Sequence, residues 1–296
     1  NMPFLAANIT GFFRELQVPM QSKSNTEDIG NTRSFKRCVQ VFRKRLSRAN
    51  RRVLKTKFLL KYTPKAKSLV KTGSLPMVQY GAFGQGLSPT QLIQVDSMAL
   101  QGIPANGFRA CRWTRAWLHL GGLPSIDIRV KQIAWWIQAW DDMNPSERLS
   151  SGQCWMSTRS SLEEIAPGQR WTQIWGPIGA TILTLADAKW SHTLPNFWHT
   201  DRHATAELGL GPHSNYQILT SFRTAVHTVT LSHSSAETSQ GLETGPPSLA
   251  AYVQARKFFT KQGHPTLLPF LDQVVCGGNV TPSKLGFDPE LERCHS

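Results

Sequence analysis

The chain has 296 residues, 40% of them hydrophobic, and ten Trp, which is enough to bury a full core and excludes a wholly disordered protein. Its formal net charge is +14, concentrated in one window. Between Asp28 and Asp96 there is no acidic residue, and that window holds fifteen of the 33 Lys and Arg, leaving 18 basic against 19 acidic residues elsewhere. Such an asymmetry points to a polyanionic partner, nucleic acid ahead of an anionic membrane surface.

Five cysteines, Cys38, Cys111, Cys154, Cys276 and Cys294, are too few, too widely spaced and odd in number for a disulfide framework. The expected compartment is therefore reducing and intracellular, nuclear or cytoplasmic. No apolar run approaches bilayer-spanning length, so no membrane partner is expected; the oligomeric state is left open. The N-terminus, NMPFLAANITGFF, lacks the layout of a signal peptide. It places Asn1 before Met2, as expected of a chain that starts partway through a longer product.

Residues 1–32 form a short leading segment that ends in the polar run QSKSNTEDIGNT, where Asn31 and Thr32, with Ser34 just beyond, offer helix N-caps. From Ser34 to Tyr62 the pattern is helical. Phe35, Cys38, Phe42, Leu46, Ala49, Val53 and Leu60 keep a three-or-four spacing on one face, with Lys44, Arg48, Arg51, Arg52 and Lys55 opposite. Thr63-Pro64 ends that helix. A short helix over Pro64–Val70 follows, then a break at Gly73, a loop-rich packing segment SLPMVQYGAFGQG, and a helix opened by Ser88-Pro89 with Leu92, Ile93, Val95, Met98 and Leu100 as its apolar set. Residues 33–100 thus read as a basic helical domain.

The Gly- and Pro-containing stretch 101–126 reads as a linker. Beyond it lies a Trp-rich helical region, 127–231. Asp127–Trp140 is an amphipathic helix bearing Ile128, Val130, Ile133, Trp136, Ile137 and Trp140. A Ser-rich stretch (146–161) precedes an apolar helix over Trp175–Trp190, with Pro177 in its first turn. A His-rich loop and a helix from Tyr216 to Val229 follow. A Ser/Thr/Gly/Pro linker, 232–247, leads to a C-terminal segment, 248–296, with helices over Leu249–Phe259 and Thr266–Val275. The expected fold is mainly α, in two helical lobes joined near 101–126.

Three constellations carry chemistry. In the basic helix, like charges repel at i,i+4 over several turns without one acid to relieve them. An ordinary solvated face mixes signs, so phosphate contact by Arg and Lys is the better account. Asp141-Asp142 superficially offers the paired carboxylates of a two-metal site, but the pair ends a helix before Asn144-Pro145, where Asp favours turns. His199, Asp201 and His203 in FWHTDRHA lack a further ligand at metal-site spacing, and Asp201 with Glu207 offers only a sparse nuclease set.

Together, three segments resemble the region downstream of the polymerase core in reverse transcriptases of non-LTR retrotransposons, of a divergent protist kind. The basic helix followed by LVKTGSLPMVQYGAFGQGLSPTQL is similar to the family's thumb region. RWTQIWGPIGATILTLADAKW and LLPFLDQVVCGGNVTPSKLGFDPELERCHS are similar to two later segments, the second of which leads into a zinc knuckle. The resemblance covers most of the chain from Arg33 onward. It implies a thumb-like helical bundle that grips RNA, DNA or hybrid by the backbone, with Lys36, Arg37, Arg43, Lys44, Arg48, Arg51, Arg52 and Lys55 as the contacts. It also implies that Cys294 is half of a severed Cys-x-x-Cys zinc site. The family's catalytic carboxylates, and the Mg they bind, belong to an upstream palm domain whose Tyr/Ala-x-Asp-Asp fingerprint this chain lacks, so the chain by itself is expected to be non-catalytic. The competing readings are a stand-alone basic helical RNA- or chromatin-binding protein, and a metal-dependent nuclease using Asp201 and Glu207.

Overall fold

The computed structural model describes residues 25–28, 31–34, 39–104, 111–174, 176–232 and 249–276, and over these the protein is mainly α-helical. It opens with a short antiparallel hairpin, β1 (Asn25–Asp28) and β2 (Asn31–Ser34), with Asn25 opposite Ser34 and Asp28 opposite Asn31. Asn31, Thr32 and Ser34, expected as helix caps, are instead strand residues.

Helix α1 (Val39–Leu59) is the basic helix. Phe42, Ala49, Val53 and Thr56 are buried on it and Leu46 is half-buried against the core. Their four-and-three spacing keeps them on one face. Thr56 sits in that apolar stripe without penalty, because its hydroxyl donates to the Arg52 carbonyl at 3.1 Å. Close seating of α1 is visible at Gly102, where an added Cβ would come within 2.5 Å of a Val70 methyl and 3.1 Å of a Val53 methyl.

The helical course does not break at Gly73. A 3-10 turn (Pro64–Lys67) runs into a π-helical turn (Val70–Ser74) and then α2 (Leu75–Gln79). Pro76 explains the widened turn: it has no N–H, and its ring would collide with the carbonyl four residues back. A π turn, closed by the Leu75 N–H on the Val70 carbonyl, lets the chain pass without stopping. After α3 (Ala82–Gln85), Gly86 adopts φ 61, and any Cβ there would lie 2.8 Å from the Trp171 ring. Helix α4 (Pro89–Gln101) starts with a reciprocal cap in which the Ser88 N–H donates to the Gln91 side chain and the Gln91 N–H to the Ser88 hydroxyl. Leu92, Val95, Met98 and Leu100 are buried as the spacing predicts, whereas Ile93 faces outward.

The expected linker 101–126 is not one. It contains α5 (Arg112–Leu120), whose Trp113, Ala116 and Leu120 are buried, and the start of α6 (Pro124–Asp142). The Gly and Pro residues that signal a linker are helix punctuation: Gly121, at φ 78, closes α5, and Pro124 opens α6. Buried residues of α1, α4, α5, α6, α9 and α10 join one continuous hydrophobic core, so the two expected lobes pack as a single body. The Ser-rich stretch likewise is a helix, α7 (Pro145–Glu163), capped reciprocally by Asn144 and Glu147.

Helices α8 (Arg170–Gln173) and α9 (Pro177–Asp187) follow. The His-rich loop folds as a small antiparallel sheet, β3 (Ser191–Leu194), β4 (Phe197–His199) and β5 (Thr205–Glu207), in that spatial order. Its Trp198 is fully buried, and Trp190 just ahead of the sheet meets Phe222 of α10 (Pro212–Ser232) edge-on at 5.2 Å. Helices α11 (Leu249–Lys261) and α12 (Leu268–Val275) dock through a smaller cluster in which Leu118 of α5 meets Tyr252 and Cys276. Among the described residues no helix is long and apolar enough to cross a membrane.

Inside the main body, Arg129 of α6 lies 3.9 Å from Asp187, and Asp96 accepts the Ser125 N–H at 2.8 Å near the start of α6. Burial pushes both carboxyls up to about 6, more than the Ser125 bond and Arg112 offset at Asp96, or Arg129 at Asp187. A carboxyl raised in the folded state contributes stability that is present below its unfolded value and lost as pH rises through about 6. Asp96→Asn keeps the acceptor and removes the charge. Urea unfolding should therefore find it more stable than the parent by about 3 kcal/mol at neutral pH and nearly level with it near pH 4. A gap of equal size at both pH values would refute the burial account.

Candidate nucleic-acid interface

The separation of faces on α1 builds the site. Arg43, Lys44, Arg48, Arg51, Arg52 and Lys55 are all exposed. Lys44, Arg48, Arg51 and Lys55 follow one another at intervals of four, three and four, which stacks them in a stripe opposite the Phe42–Val53 face. Arg43 and Arg52 flank it on either side. Among the described residues none of these six makes an ion pair or a side-chain hydrogen bond. Cations on adjacent turns are only ~5–6 Å apart at their Cβ atoms, so the stripe is a surface of like charge held together by the packing behind it. Lys36 and Arg37, assigned to the same surface, lie outside the described residues.

Arg45 is the basic residue of α1 that does something else. Half-buried, it lays its guanidinium 5.4 Å from the centre of the Tyr80 ring and donates to the Tyr80 carbonyl. It thereby ties α1 to the corner between α2 and α3. The basic run also continues past α1, where Lys57, Lys61 and Lys65 are exposed.

Lys67 turns inward toward the C-terminal helices. Burial pushes its ammonium down, Arg256 adds to this, and Asp272 opposes it. Asp272 in turn accepts from the Tyr252 hydroxyl at 2.6 Å and from Arg256. His119 beside them is held down to about 4, by burial first and Lys67 second, and so stays neutral. This network locks α11 and α12 under the end of the basic run rather than offering a ligand site.

The alternative chemistries find less to work with. Asp141 and Asp142 are the last two residues of α6, and Asp141 accepts the Asn215 amide at 2.8 Å. Asp201 accepts the Trp190 indole N–H at 3.3 Å, His203 holds a turn at φ 61, and Glu207 is exposed on β5. Among the described residues no three His, Cys, Asp or Glu side chains gather to hold a metal ion. Cys294, the expected zinc half-site, lies outside them.

The chain matches no family model, no curated protein and no solved structure. One surface feature escaped the sequence pattern. Phe58 and Tyr62, at the C-terminal end of α1, are 56% and 73% exposed. Their distance from Val53 in the sequence held the signal: Phe58 comes five residues on, about 140° round the helix from the packing face.

Proposed function

We propose that this chain binds nucleic acid through the exposed face of α1, without sequence specificity, as the thumb-like, non-catalytic portion of a retroelement reverse transcriptase. What supports the reading is the division of α1, with Phe42, Ala49, Val53 and Thr56 turned into the core and six cations turned out, unpaired among the described residues. That arrangement suits a polyanion whose charge repeats along its length, and it reads backbone rather than bases. RNA, DNA and hybrid all present that backbone.

Titrating a labelled duplex with the protein from about 50 to 400 mM salt tests the proposal. Six phosphate contacts give log affinity against log salt a slope of about −5. A flat response, or no binding at low salt, overturns it.

A further inference from the structure

We infer that Phe58 and Tyr62 form a stacking platform for an unpaired base, so that the end of α1 takes single-stranded nucleic acid while its middle holds the backbone. The inference rests on the nucleic-acid reading of α1 and adds a structural class of ligand to it.

The two rings stand 5.4 Å apart at their centres, tilted by 58°, and Lys61 places its ammonium 5.8 Å from the Phe58 ring centre. Leu54 and Leu59 extend the exposed apolar surface beside them. The backbone that carries Tyr62 is set by the closing turn of the helix: the Tyr62 and Thr63 N–H groups both donate to the Leu59 carbonyl, at 2.9 and 3.0 Å. The rings are thus carried on a hydrogen-bonded backbone and rest against each other.

Composition decides between occupants. A protein-docking patch depletes lysine at its centre. Here Lys55, Lys57 and Lys61 alternate with Leu54, Phe58, Leu59 and Tyr62, and Lys65 follows. Aromatic faces interleaved with cations match a strand whose bases are free to stack and whose phosphates follow every base. In a duplex those base faces are already covered by their neighbours, so the platform has nothing to grip there.

The test compares the full-length parent with Phe58→Ala/Tyr62→Ala and Phe58→Trp/Tyr62→Trp, using labelled oligothymidylate and a duplex of equal length. Both residues are exposed, so circular dichroism should show all three proteins folded alike. The Ala pair should lose about ten- to a hundred-fold in affinity for oligothymidylate, keep its salt slope, and bind duplex within about twofold of the parent. The Trp pair should retain the parent's affinity for the single strand. Equal loss on both probes, or no loss on either, overturns the platform and leaves backbone binding standing. Failure of the parent to bind either probe sinks the functional proposal itself. Binding of the parent to phosphatidylserine-containing vesicles, lost in the Ala pair while oligothymidylate binding survives, would make the rings a membrane anchor and also overturn the inference.

Discussion

Replacing Arg48, Arg51 and Arg52 together by Ala should cut duplex affinity by about two orders of magnitude near 0.1 M salt and reduce the salt slope by about 2 to 3 units. Each exposed cation that meets a phosphate releases a condensed counterion, so removing three removes three increments of both affinity and salt dependence. The three guanidiniums make no ion pair among the described residues. Ala is the strongest helix former, so the variant should melt at or above the parent's temperature. The loss should be equal across duplex sequences, measured by anisotropy on several unrelated duplexes. A loss confined to one sequence would mean that the arginines read base edges, and the backbone account would have to be abandoned.

Trp155→Ala should lower stability by about 3–5 kcal/mol, the largest effect expected of a single core residue in this fold. Trp155 is fully buried on α7, its ring 5.2 Å from that of Trp136 on α6, and its indole N–H donates to the His192 carbonyl of β3 at 3.1 Å. Truncation opens a cavity between α6 and α7 and strands a carbonyl at the start of the small sheet. Trp155→Phe keeps most of the volume and forfeits the bond, so it should cost less. Denaturant unfolding of both variants measures the difference. If Ala and Phe cost the same, the bond rather than the packing would be what Trp155 supplies. Below the variant's melting temperature duplex binding should persist, because α1 is seated by other residues.

The clarity of α1 in the sequence and the obscurity of α5 and α7 have physical origins. In α1 two signals of the same period coincide: apolar residues return every three or four positions, and so do cations half a turn away. Helix α5 is short and bracketed by Pro104 and Gly121, and a bracket of that kind looks the same whether it encloses a loop or ends a helix. Helix α7 buries little besides Trp155 and Leu162, so it has almost no apolar stripe to detect. The signal it does carry is local, Asn144-Pro145-Ser146-Glu147, a cap with proline at the first helical position. The three strands of the small sheet are three or four residues each, too short for alternation to show, and their core anchor, Trp198, is set by pairing with Ala206 of β5. Leu60 lies in phase with Val53, but α1 ends at Leu59. The packing face therefore closes at Thr56; Phe58 points outward by its phase on the helix, and Tyr62 lies past the helix end.

The stripe is short. From Lys44 to Lys55 the helix rises about 17 Å, roughly half the pitch of a double helix. A straight rod of that length can follow a curving backbone only until the strand turns away from it. On the proposed reading a target of about five base pairs would fill this surface, and any longer footprint would draw its extra contacts from elsewhere on the protein.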